Sequence, residues 1–304
     1  DQLINKKQNG LIKIITGIRR CGKSFLLFNL FYNHLIKSGV KESNIITLIL
    51  DDDKNRKYRD PDNLSKYLYS RIKNKKEMYF ILLDEVQFAI KNDEIKNDNE
   101  IRLYGILNGL LRLDNVDIYI TGANSKFLSS DILTEFRGRG DEVRVYPLSF
   151  SEYYSSCANK DKLDIRNEYS MFGGMPALIL KKTDEEKIKY LKDLINNTYI
   201  KDVIERNNIK NNTVIDSLFN ILASSIGSLT NPTKLANTFK SNGIKATDVT
   251  LSNYINMLKD SFIVEQAERY DIKGKKYINS PFKYYFTDIG LRNSRINYRQ
   301  QEQT

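Results

Sequence analysis

The stretch LIKIITGIRRCGKSFLL, residues 11–27, interrupts an apolar run with a polar loop bracketed by Gly17 and Gly22, then turns apolar again. Its first part, LIKIITGI (11–18), is a short, nearly continuous apolar run of the kind found in a strand covered on both faces. Its second part continues as SFLLFNLFYNHLIKSG (24–39), with apolar residues three and four apart and a helix stop at Gly39. Four further strand-like runs follow: NIITLILDD (44–52), MYFILLDEV (78–86), VDIYITGAN (116–124) and DEVRVYPLS (141–149), with helical patterns between them. Strands alternating with helices predict an α/β fold: a parallel sheet with helices on both faces.

The 304 residues are 40% hydrophobic and 28% charged, enough for well-packed cores in roughly two domains. No apolar run approaches the roughly 20 residues of a membrane-spanning helix, no secretory or transit signal opens the sequence, and a cytoplasmic protein without membrane partners is expected. Cys21 and Cys157 have no metal-ligand spacing and are expected as free thiols. The single histidine, His34, excludes His-based triads and multi-His metal centres. The net charge of +10 favours an acidic partner, and residues 269–299 concentrate it, with eight basic residues against two acidic ones.

The loop Gly17-Ile18-Arg19-Arg20-Cys21-Gly22-Lys23-Ser24, followed by Phe25, has the spacing of a phosphate-binding loop and lies between a strand and a helix, as that motif requires. Glycines let successive backbone N–H groups face one concavity, and the following helix adds its positive end. Lys23 is then expected to reach the β- and γ-phosphates, and Ser24 to bind Mg²⁺. YFILLDEVQ supplies the complement: Asp84 at a strand end for the metal, and Glu85 to orient and deprotonate an attacking water. This pairing predicts hydrolysis rather than transfer to a small molecule. The nearest string to a guanine-reading motif, NKDKLD (159–164), has the wrong spacing, so ATP is expected. VDIYITGANS ends in polar residues where a γ-phosphate sensor is expected, with Asn124 first and Thr121 and Ser125 behind it. In LTEFRGRGDEV, Arg139 is the candidate for stabilising phosphoryl charge, in its own subunit or a neighbour's; Arg137 reads as a solvated loop residue.

After Pro147 the strand signal gives way to helices broken by FGGMP (172–176), a small helical subdomain. From about Asn212 come three helical patterns, VIDSLFNILASSIGS, PTKLANTFKSNG and DVTLSNYINMLKDS, and then β-like FIVEQAERYDI and KYYFTDIGL around KGKKYINS. Three helices and a hairpin predict a winged helix. The expected division is an ATPase domain over 1–155, a helical subdomain over 156–211 and a winged-helix domain over 212–304.

The strings ITGIRRCGKS, LLDEVQ, ITGANSKFLSSD, RGRGDEVRVYPLSFSEY, GGMPALIL, YIKDVIERN and YDIKGKKYINSPFKYYFTDIGLRN make the chain resemble, over nearly its whole length, the bacterial and archaeal AAA-type ATPases whose P-loop domain is joined to a C-terminal domain of unknown function. The resemblance implies a P-loop NTPase fold of the additional-strand class, a helical segment and a winged-helix region. It implies phosphate binding by residues 17–24, metal and water handling by Asp84 and Glu85, and a Gly-Arg position at Arg139. It also implies a restriction-endonuclease-like module after YRQQEQT (298–304), where this sequence stops.

A winged helix reads DNA through its third helix and its hairpin. The third helix offers Thr247, Thr250, Ser252 and Asn253 with little positive charge, whereas the hairpin carries Lys273, Lys275 and Lys276. Contact with double-stranded DNA is thus expected through phosphates, with weak sequence preference. The functional expectation is an ATPase coupling MgATP state to movement of the winged helix against DNA. The alternative is a slow ATP-gated switch or scaffold acting through protein association, including a homo-oligomer.

Overall fold

The structure is a computed structural model that describes residues 1–91, 94, 101–122, 138–157, 161–209, 211–268 and 281–298. The chain divides into two compact units, one formed by residues 1–17 and 22–145, the other by residues 18–21 and 146–304. The divide therefore falls at 145/146, and the two parts expected on either side of 211 lie in one unit.

In the first unit the strands are β1 (Ile12–Thr16), β2 (Ile45–Ile49), β3 (Tyr79–Asp84), β4 (Val116–Thr121) and β5 (Gly140–Arg144), a five-stranded sheet of order β2-β3-β4-β1-β5. All four pairings are parallel. β4 lies between β1 and β3, so the extra strand separates the loop-bearing strand from the Asp84 strand, as the additional-strand arrangement demands. β1, β3 and β4 are buried at every position, which is why their sequences lack alternation. One apolar face packs Ile12, Ile14, Ile81, Leu83, Ile118 and Ile120 against helices α1 (Pro61–Arg71) and α2 (Arg102–Leu111). The other packs Ile15, Leu82 and Tyr119 against Leu27, Phe31 and Leu35 of the helix that follows the loop. That helix runs as Lys23–Phe25, a π-helical Leu26–Phe31 and Tyr32–Lys37; its heptad-like apolar spacing gave no sign of the widened middle.

A buried ion pair ties the amino-terminal edge of this sheet. Lys13, fully buried, bonds Asp117 and the Leu11 carbonyl (2.9 Å), and Asp117 also accepts from the Tyr119 hydroxyl (2.8 Å) and the Gln8 amide (2.9 Å). Burial lowers the Lys13 pKa while Asp117 pulls it back up.

In the second unit, α3 (Phe150–Ser156) starts with a Ser149/Glu152 capping box, and α4 (Lys162–Phe172) ends at the Gly173-Gly174 break foreseen in FGGMP. A long helix follows in three pieces, Asp184–Asp193, π-helical Leu194–Ile200 and Lys201–Arg206, here α5. Then come α6 (Asn212–Ser224), α7 (Pro232–Ser241) and α8 (Asp248–Asp260), and an antiparallel pair, β6 (Val264–Ala267) and β7 (Lys283–Phe286).

The structure corrects the reading of KYYFTDIGL as strand throughout: only Lys283–Phe286 is strand, and Ile289–Arg295 is a helix, α9. The reason is Asp288. Its buried carboxylate caps α9 by accepting from the Leu291 amide (3.0 Å) and reaches across to the Gly174 amide (2.7 Å). A methyl group on Gly173, which sits at φ +76°, would overlap this carboxylate, and one on Gly290 would overlap the Phe172 carbonyl. Asn293 adds two bonds to the Ser170 and Met171 carbonyls (both 3.0 Å), and Arg292 one to the Ala223 carbonyl (2.9 Å). The FGG and TDIGLRN strings are thus the two halves of one lock.

Two outcomes follow. Lys13→Ala leaves Asp117 buried without its cation and should cost about 3–5 kcal/mol, read by denaturant unfolding. Burial pushes the Asp288 carboxyl up to about 6, against an ordinary 3.8. Between those values the folded state binds more protons than the unfolded one, so this group's contribution to stability falls as pH rises through that window. Against Asp288→Asn, wild type should lose about 2.4 kcal/mol of relative stability between pH 4 and pH 7; parallel pH profiles would refute the assignment.

Candidate active site

All five strands run the same way, so β1, β3 and β4 end together on one sheet edge. Gly17 follows β1 with φ +139° and Gly22 precedes the helix with φ +101°, backbone that a side chain at either position would strain. Lys23 is buried and its Nζ donates to the Gly17 carbonyl at 2.9 Å, folding the base of the loop onto itself. Ser24 and Phe25 are exposed, Phe25 at 58%. Of the loop residues placed with the second unit, Ile18 and Cys21 are buried and Arg19 and Arg20 exposed.

Asp84, the last residue of β3, is 3% exposed and receives hydrogen bonds from the hydroxyls of Thr121 and Ser24. Burial raises its pKa; those two bonds pull it down, and the charges of Glu85 and Asp51 add to the rise. Glu85 sits at φ +54°, its amide facing the Thr121 hydroxyl (3.4 Å) and its carboxylate bonded by the Gln87 side-chain amide. The Gln87 Oε1 atom is buried without a hydrogen-bond partner among the described residues. A hydroxyl and a carboxylate in mutual contact, with two further carboxylates close by, form an all-oxygen donor set suited to a hard divalent cation. The residues therefore fit Mg²⁺ at Ser24 and Asp84. Among the described residues no cluster of three or more His, Cys, Asp or Glu side chains makes a metal site by itself.

The sheet brings Lys23, Ser24, Asp84, Glu85 and Thr121 together. Asn124, Ser125 and Arg137 lie outside the described residues, as do Lys273, Lys275 and Lys276. Thr121 is the described residue of the sensor strand that meets Asp84. Arg139 is exposed and stands at the start of β5. Its carbonyl accepts from the Ile12 amide, at the start of β1, one residue before β5 begins. Four residues of parallel strand, about 13 Å, separate that edge from the loop. The arginine of this strand on the loop's edge is Arg144, which is in register with Thr16. Sequence reasoning missed Gln87 and Asp51; the first belongs to the quoted LLDEVQ string, whereas the second becomes visible only once β2 is paired with β3.

Comparisons with known proteins agree with this geometry. The family model described as AAA domain matches residues 9–154, and a domain of unknown function, DUF8612, matches residues 163–302. An uncharacterized protein of Haemophilus influenzae is 31% identical over 302 residues, covering 97% of this chain and 72% of that protein. The chain belongs to the AAA-type P-loop ATPase family. A second relative, uncharacterized protein MJ1544 of Methanocaldococcus jannaschii, is 28% identical over 306 residues, covering 96% of this chain and 63% of its own length. Among solved structures, the Walker-type ATPase PABY2304 of Pyrococcus abyssi superposes with a TM-score of 0.64 at 14% identity, over 97% of this chain and 93% of that one. This AAA-type chain thus shares the fold of a Walker-type ATPase over nearly its full length. No described helix is long and apolar enough to cross a membrane.

Thr121→Val tests the contact that the sheet creates. It removes a hydrogen bond from buried Asp84, raises that carboxyl further, and should weaken Mg²⁺-dependent ATP affinity by about tenfold while metal-free binding changes less. Titration calorimetry with and without Mg²⁺ reads both.

Proposed function

We propose that the chain binds and hydrolyses ATP, with Mg²⁺, and that its nucleotide state drives movement of a winged-helix region made of α6, α7, α8 and the β6–β7 hairpin. The observation that carries this reading is the juxtaposition of Ser24, Asp84 and Thr121 beside Glu85, at the carboxyl edge of a sheet whose strand β1 runs into the Gly17–Ser24 loop. Backbone N–H groups from Ile18 to Phe25 and the Lys23 ammonium hold the phosphates. Mg²⁺ bound through Ser24 and Asp84 would neutralise charge on the β- and γ-phosphate oxygens. Glu85 orients a water and takes its proton as the oxygen attacks the γ-phosphorus and the bond to the β-phosphate breaks. Gln87 fixes the Glu85 carboxylate, and its own unpartnered Oε1 can accept from that water. Asn124 remains the sensor proposed alongside Thr121, and Arg139 is proposed to act only on a neighbouring subunit.

The DNA reading rests on the lysines at 273, 275 and 276 and would give phosphate contact with little sequence preference. A second reading, an ATP-gated scaffold acting through protein association, is favoured by α8. Its exposed side chains include Asp248, Val249, Asn253, Asn256 and Asp260 and no lysine or arginine, and Lys259 is tied to Gln266 (2.9 Å). A helix of that charge does not suit a major groove.

Glu85→Gln should lower ATP turnover by about 100-fold or more while ATP affinity is kept; unchanged turnover refutes the assigned base. Turnover measured with and without duplex DNA over a salt series separates the two readings. Salt-sensitive stimulation supports DNA contact, whereas nucleotide-dependent self- or partner association without it supports the scaffold.

A further inference from the structure

The turn at the tip of the loop is built in an unusual way. The Cys21 amide donates to the Ile18 carbonyl (3.3 Å), closing a four-residue turn with Arg19 and Arg20 at its centre. Arg20 lies at φ +64° and Arg19 outside the positive-φ region, the combination of a type II turn, which normally places glycine or asparagine third. Turning the central peptide over gives a type I turn, which an arginine adopts without that strain. Something must hold the peptide as it stands.

The holding group is Tyr199 of α5, in the same compact unit as residues 18–21. Its hydroxyl donates to the Arg19 carbonyl at 2.8 Å. The ring is 3% exposed, and burial keeps the phenol well above its ordinary pKa, hence protonated and able to donate. Asp202, one turn further along α5, takes the Arg19 guanidinium at 3.6 Å, and the charge of Arg20 acts on both Tyr190 and Tyr199. The Arg19 side chain is therefore engaged by α5, and the Arg20 cation lies within electrostatic reach of it. A peptide's C=O and N–H point in opposite directions. A carbonyl pinned to Tyr199 thus fixes the Arg20 N–H on the other side.

We propose that Tyr199 is a positioning residue for the phosphate-binding loop, selecting the peptide orientation in which the Arg20 N–H is presented to the phosphates of ATP. The proposal rests on the nucleotide reading of the site.

Equilibrium MgATP binding by the 304-residue chain, with thermal unfolding as a check on folding, tests it. Tyr199→Phe, which keeps the ring, should weaken affinity about three- to tenfold. Arg20→Gly in the Tyr199→Phe background should restore most of it, because glycine holds positive φ without help. Independently of Tyr199, Arg20→Val and Arg20→Gly both remove the same exposed cation, yet the valine variant should bind about tenfold more weakly because it resists positive φ. Wild-type affinity in Tyr199→Phe, no rescue by glycine, or equal binding by the Val and Gly variants overturns the proposal. Absence of MgATP binding by wild type overturns the nucleotide reading, and the proposal with it.

Discussion

A parallel sheet buried on both faces must gather the carboxyl ends of its strands on a single edge, and the chemistry of this protein depends on that constraint. β1 delivers Gly17, β3 delivers Asp84 and β4 delivers Thr121 to the same edge, because each pair of neighbours is in parallel register. The same constraint puts Arg139, which stands before the first residue of β5, at the other edge. An arginine on that strand faces the loop's edge only at its far end, as Arg144 does.

The edge is electrostatically tense. Asp84 is buried with Glu85 and Asp51 near it, and its carboxyl is raised by that burial despite two hydroxyl donors. Carboxylates crowded in this way favour a proton or a cation. Glu85, next to Asp84, holds positive φ without being glycine, so the strand end carries some backbone strain. Gly17 and Gly22 hold positive φ, Lys23 folds back onto the Gly17 carbonyl, and the Arg19 side chain is engaged by Asp202 of α5.

The second unit is held by a different device. Asp288 satisfies amides from both Gly174 and the start of α9, and the glycines at 173 and 290 allow the close approach. A buried carboxylate that serves as a helix cap and as a bridge is costly to ionise, and its raised pKa is the signature of that cost. The FGGMP and TDIGLRN strings, more than 100 residues apart, have their residue types for this reason.

All five strands, the loop between Gly17 and Ser24, and the Asp84-Glu85 pair were legible in the sequence, because each is encoded in a contiguous run whose periodicity or spacing is local. The break at FGGMP was legible for the same reason. What the sequence by itself could not decide was which distant residues would meet. Strand order alone put Thr121 on Asp84 and Asp51 near Asp84, and set Arg139 at the opposite edge. Packing alone made Asp288 a helix cap, where strand propensity in KYYFTDIGL read on without a stop. Packing also set a tyrosine 180 residues away behind the Arg19 carbonyl. Local patterns specify elements and motifs because neighbouring residues share one backbone geometry; contacts across the fold are fixed only when burial brings hydrogen-bonding groups out of water and each must find a partner.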